Sequence, residues 1–120
     1  MKLEELASKY CFHDSLLESV DYNEQEKTAS FEVDFCNWAQ DGYSDDMPET
    51  TMIRLCFKGV EFINNHCVYI ESSGISDCRI INSGNGIALE FVVLRDYPSG
   101  DGGVDLIQIA ADSVEFVMGN

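Results

Sequence analysis

Residues 29–35 read Ala29-Ser30-Phe31-Glu32-Val33-Asp34-Phe35. Apolar and polar side chains alternate without a break: Ala29, Phe31, Val33 and Phe35 point one way, and Ser30, Glu32 and Asp34 the other. A period of two marks an extended strand with one dry face and one wet face. A wet face belongs to antiparallel sheets, because parallel sheets are covered on both sides. This heptapeptide therefore predicts an antiparallel sheet.

Upstream, Leu16-Leu17-Glu18-Ser19-Val20-Asp21-Tyr22 predicts its hairpin partner, with Asn23-Glu24-Gln25-Glu26-Lys27 as the turn. Downstream, Ile53, Leu55 and Phe57 alternate with Arg54, Cys56 and Lys58, and Gly59 predicts a bulge or bend before Val60 and Phe62. Asn64-Asn65 reads as a turn before a strand at Cys67-Val68-Tyr69-Ile70. Segments 75–82 and 87–94 flank Ser83-Gly84-Asn85-Gly86, whose Asn-Gly step is a strong hairpin signal. Residues 104–111 predict another strand, and Val114, Phe116 and Met118 a last one. At the start, Leu3, Leu6, Ala7 and Tyr10 fall on one face of a short helix. Glu4 and Glu5 lie in its first turn and Lys9 in its last, matching the helix dipole; a helix this short persists only when packed.

These elements predict a mainly β chain, or an α+β one. The expected architecture is an antiparallel sheet or two-sheet sandwich of about seven or eight strands, with one short N-terminal helix. A parallel α/β fold is disfavoured because crossover helices are missing. No linker or internal repeat divides residues 1–120, so a single domain is expected.

The composition bounds the function. The chain carries 22 Asp+Glu against 7 Lys+Arg, a net charge of -15. Such an excess disfavours nucleic acid and anionic lipid as partners and favours a basic one. Seven Phe, five Tyr and one Trp argue that the acidity belongs to a folded domain, since disordered acidic chains lack aromatics. Cys11, Cys36, Cys56, Cys67 and Cys78 are odd in number, and no pair has C-x-x-C spacing. Buried reduced thiols are the expectation. With no apolar signal core near Met1 and no run of the roughly 18 apolar residues that a membrane helix needs, the expected compartment is the cytoplasm.

Candidate sites are few. His13-Asp14 invites a metal-phosphohydrolase reading, but His66 is the only other histidine and the ligand count fails. His13, Asp14 and Ser15 cannot form a catalytic relay as neighbours in an extended chain. They fit better as a turn between helix and strand. The loop 39–50 holds Asp41, Tyr43, Asp45, Asp46 and Glu49, and its register fails an EF-hand: counted from Asp41, Tyr43 stands where an acid is required and Asp46 where a glycine is. Gly100-Asp101-Gly102-Gly103 lacks the ending of a phosphate loop. No cofactor is implied.

Charge is segregated. No basic residue stands between Lys27 and Arg54, where Glu32, Asp34, Asp41, Asp45, Asp46 and Glu49 lie, and none follows Arg95, where Asp96, Asp101, Asp105, Asp112 and Glu115 lie. Trp38, Tyr43 and Tyr97 are interleaved. Aromatics among acids are ingredients of an interface hot spot, and acidic rims steer a basic partner. The partner-binding set expected here is Trp38, Asp41, Tyr43, Asp45, Asp46 and Glu49. The competing reading makes Trp38 a core residue and the acids a solubility device.

The opening Phe12-His13-Asp14-Ser15-Leu16-Leu17-Glu18-Ser19-Val20-Asp21-Tyr22, with Phe31 to Trp38 after it, resembles small bacterial proteins that begin with a His-Asp-Ser, strand, turn, strand unit. The close, Leu106 to Phe116, is similar to their last strands. Some of these proteins are grouped with the immunity proteins of polymorphic toxin systems. The resemblance implies a non-enzymatic protein that neutralises a basic toxin domain such as a nuclease. The alternative from the sequence is a small β-sandwich binding a small ligand or calcium through its loops.

Overall fold

The computed structural model describes residues 1–65, 73–84, 86–95 and 103–118. The expected strand at 67–70, His66, Cys67, Asn85, Tyr97 and most of the Gly-rich stretch lie outside them.

Among the described residues there are one short α-helix, α1 (Leu3–Lys9), and eight strands: β1 (Leu16–Asn23), β2 (Thr28–Cys36), β3 (Thr50–Lys58), β4 (Phe62–Asn65), β5 (Ser73–Ser83), β6 (Gly86–Arg95), β7 (Gly103–Ala110) and β8 (Ser113–Met118). All pairings are antiparallel, and the strands form one sheet in the order β4-β7-β6-β5-β1-β2-β3-β8. The alternation of residues 29–35 translates directly into burial, with Ala29, Phe31, Val33 and Phe35 in the core and Ser30, Glu32 and Asp34 half-exposed. The Asn23–Lys27 turn is where the sequence puts it, and Lys27 closes it at φ 56°.

The single sheet behaves as two halves. β1, β2, β3 and β8 form one, and β5, β6, β7 and β4 the other. Among the described residues, the ladder that joins them has two pairs, Leu16↔Gly74 and Leu17↔Ser73. In a flat sheet β2 and β6, three strands apart, would lie roughly 14 Å from each other. Yet the rings of Phe31 and Phe91 sit 5.4 Å apart. The sheet therefore folds over at the β1–β5 seam and closes its two dry faces on each other. Both expected architectures are thus partly realised: one continuous sheet, packed face to face. The chain crosses between the halves at Gly59 and again at Asp112, whose N–H donates to the carbonyls of Lys58 and Gly59. Gly59 has φ +65°, and a Cβ there would collide with the Asp112 carboxylate, so this bend requires glycine.

The core holds a continuous file of aromatics. Phe57 packs on Phe31, Phe31 on Phe91, Phe91 on Phe12, Phe12 on Phe35 and Phe35 on Phe116, with centroids between 5.0 and 5.8 Å. Tyr10 stacks on Phe116 at 4.1 Å and ends the file at the surface. Helix α1 buries Leu3 and Leu6 against this core, and Glu5 reaches back to accept from the Lys2 N–H. Its entry is fixed by Met1, whose amino group and carbonyl bond Val114 on β8.

Two expectations are corrected. Asn64 and Asn65 are the last residues of β4, paired with Gln108 and Ile107, because the ladder with β7 holds the backbone extended against their turn propensity. Of the four described cysteines only Cys36 is buried; Cys56 and Cys78 are intermediate, and Cys11 is exposed because it lies in the link after α1.

Candidate functional site

Strand β2 ends in a buried Cys36 and runs into a 3-10 turn, Asn37–Ala39, before the loop that leads to β3. Two amide side chains fix this exit. Asn37 donates from Nδ2 to the Pro48 carbonyl (3.0 Å) and to Thr51 Oγ1 (2.8 Å), and its N–H donates to the Glu49 carbonyl, so both ends of the loop are tied to one residue. Gln40 donates from Nε2 to the carbonyls of Cys36 and Cys11, while its Oε1 accepts from the Cys11 N–H. Ser15 is fully buried, and its Oγ accepts from the Cys36 N–H at 2.9 Å.

This scaffold turns Trp38 outward. Trp38 is 51% exposed, which removes its reading as a core residue. Asp41, Asp45, Asp46, Met47 and Glu49 are exposed beside it, and Tyr43 is half-buried. The Ser44 hydroxyl donates to the Asp46 carboxylate; that bond and the backbone N–H of Asp46 itself hold the carboxyl below the usual carboxylate range. All six expected partner-binding residues thus lie on one exposed segment tied down at both ends. The second acidic stretch is divided. Strand register puts Asp105 at the same end of the sheet as this loop, and Asp112, beside Gly59, at the opposite end. Glu115 bridges Lys58 at 3.6 Å on the outer face.

The His-Asp-Ser unit is a turn. The Ser15 N–H donates to the Phe12 carbonyl, Asp14 sits at φ 67°, and its N–H donates to the Ile75 carbonyl. His13 Nδ1 lies 2.8 Å from the Ser76 carbonyl oxygen and donates to it, which leaves Nε2 facing Asp14 at 3.6 Å. With its hydroxyl buried and engaged by an amide, Ser15 offers no accessible nucleophile. Among the described residues, no three His, Cys, Asp or Glu side chains converge as metal ligands would.

Next to the tied loop lies a cleft of about 720 Å³. Its walls come from the last turn of α1, the link Tyr10–His13, the 37–41 turn, Asp77 and Cys78 of β5, and Phe116 and Met118 of β8. The Tyr10–Phe116 stack is part of the lining. Asp41 and Asp77 supply negative charge, and the Lys9 ammonium lies 5.5 Å over the Tyr10 ring. Of the residues that hold this region together, Ser15 stood out only as part of the His-Asp-Ser turn, and Asn37 and Gln40 carried no motif. Apart from the Gln40–Cys36 bond, their side-chain partners are 11 to 29 positions away, beyond the reach of any periodicity.

Fold and site define a mainly β antiparallel domain with an exposed acidic and aromatic segment beside an aromatic-walled cleft. The chain matches no protein-family model, no curated protein and no solved structure.

Proposed function

We propose that this chain is a non-enzymatic binding protein that engages a basic protein through Trp38, Asp41, Tyr43, Asp45, Asp46 and Glu49, and that the partner is a toxin domain, such as a nuclease, which it neutralises. The observation that carries this reading is the outward Trp38 on a pinned turn, in a segment with acids and no base. A half-exposed Trp leaves apolar surface uncovered by folding, and one with a rigid base and a charged surround has the make-up of a binding hot spot. The net charge of -15 supplies long-range attraction for a cationic partner. The resemblance of the N-terminal unit to small bacterial proteins, some of them grouped with immunity proteins, supports a toxin as that partner. Neutralisation requires only that the bound chain cover the partner's active site.

The test separates a binding role from a structural one. Trp38→Ala is expected to leave the thermal midpoint nearly unchanged, since exposed substitutions are worth within about 0.5 kcal/mol, and to weaken capture of the basic partner at least tenfold. A lowered midpoint with unchanged capture would overturn the assignment.

The cleft favours a second reading, a small-ligand site, because its 720 Å³ falls in the usual pocket range of about 300–1,000 Å³. Calcium binding through the loops belongs to the same alternative. A thermal shift with calcium that a chelator abolishes, or with a small ligand and no protein partner, would favour it.

A further inference from the structure

The sheet has two edges, and they are unequal. β4 is four residues long, whereas β8 spans Ser113–Met118 and has neither proline nor lysine to discourage pairing. Met1 covers β8 at Val114, where both backbone groups are used. In an antiparallel ladder, residues two apart direct their N–H and C=O the same way. Phe116 and Met118 therefore point theirs away from β3, and among the described residues neither backbone makes a bond on that side. The cleft begins there. Phe116 and Met118 form one of its walls, opposite Ala7 and Ser8 of α1, and Met118 is 60% exposed.

We infer that the Phe116–Met118 edge of β8 is a strand-addition site for an extended basic segment of the protein partner, one of whose long cationic side chains enters the adjoining cleft. This rests on the proposed binding of a basic partner and deepens it. Edge pairing supplies main-chain bonds, and alternate side chains of the added strand fall on the cleft side. The cleft is suited to a lysine or arginine with its stem on aromatic rings. The Lys9 ammonium already lies over the face of Tyr10, and Asp41 and Asp77 contribute carboxylates. Addition of a second copy of this chain is disfavoured, because each copy carries -15.

The probe is a capped heptapeptide of alternating valine and lysine, titrated to millimolar concentration into the full-length 15N-labelled protein. Its glutamate counterpart is the control. The expected result is a shift of the Phe116 and Met118 amides and at least tenfold slower hydrogen exchange at Phe116, with neither effect from the glutamate peptide. Met118→Pro, which removes the outward N–H at the end of the strand and spares the Tyr10–Phe116 stack, is expected to weaken binding at least tenfold. Met118→Leu, which keeps that N–H, should stay within twofold of the wild type. Shifts confined to Trp38–Glu49 would overturn the strand-addition site and leave the acidic face standing. No shift anywhere would count against both. Protection of Phe116 without peptide, together with a dimer in sedimentation, would overturn the inference in favour of self-association.

Discussion

Replacing Ser15 by Ala isolates one buried hydrogen bond. The Ser15 hydroxyl accepts from the Cys36 N–H at 2.9 Å, and both residues are buried, so no water can take the place of the lost oxygen. An orphaned buried donor costs about 1–3 kcal/mol, and the alanine leaves only a small void. Taking about 2 kcal/mol, and about 3–5 °C per kcal/mol for a domain of this size, the thermal midpoint should fall by roughly 6–10 °C. In urea the midpoint should fall by about 1 M with an unchanged slope. The exposed Ser8, whose hydroxyl donates to Glu5 within the helix, is the control; Ser8→Ala should stay within about 0.5 kcal/mol. Because Cys36 leads into the turn that carries Trp38, Ser15→Ala should also speed amide exchange over residues 36–39. A midpoint that moves by less than about 2 °C would refute the reasoning, since a serine held for chemistry can lose its hydroxyl at little cost in stability.

Two other outcomes rest on particular contacts and a third on the net charge. Gly59→Ala should destabilise by about 1–3 kcal/mol through strain at φ +65° and collision with Asp112; adding Asp112→Gly should recover only the collision part, so full recovery in chemical melts would show that the backbone is not strained. Glu90 is pulled up by burial, but bonds from Gln108 and Arg79 and the Arg79 charge outweigh that and hold its carboxyl below the ordinary 4.5. Its contribution to stability is therefore complete above that value and lost as pH falls through the lowered one; Glu90→Gln should flatten this acid limb, and parallel pH profiles of the two proteins would contradict it. Self-repulsion at a net charge of -15 should ease with added salt, so the thermal midpoint should climb across a salt series, and a flat series would show that repulsion does not limit stability.

Much of the sheet was legible because strand signals are local. Residues 29–35 alternate perfectly and became β2, and the helix face at Leu3 and Leu6 was readable from spacing alone. Less was legible where the ladder breaks register. The irregularities between Leu17 and Ser19 and between Ile75 and Asp77 interrupt alternation in β1 and β5, and those are the two strands that join the halves. The fold-over itself has no sequence mark; it appears only in contacts such as Phe31–Phe91, which are 60 residues apart in the chain. Asn64-Asn65 misled because turn propensity yields to a neighbouring strand. At the site, the acidic loop and its Trp were visible as composition. The cleft was not, since its walls come from α1, β5, β8 and the 37–41 turn.

The proposed function requires that the Trp38–Glu49 segment hold a basic protein. The most direct measurement is low-salt capture with the tagged chain, using the native lysate and a co-expressed genomic neighbour, in parallel with Trp38→Ala and with Asp41, Asp45 and Asp46 all changed to Asn. The expected result is one basic protein, eluted by salt and bound by the wild type, with capture lost on Trp38→Ala and association slowed and less salt-dependent in the Asn variant. Equal capture by all three chains, or no protein captured at all, would contradict it.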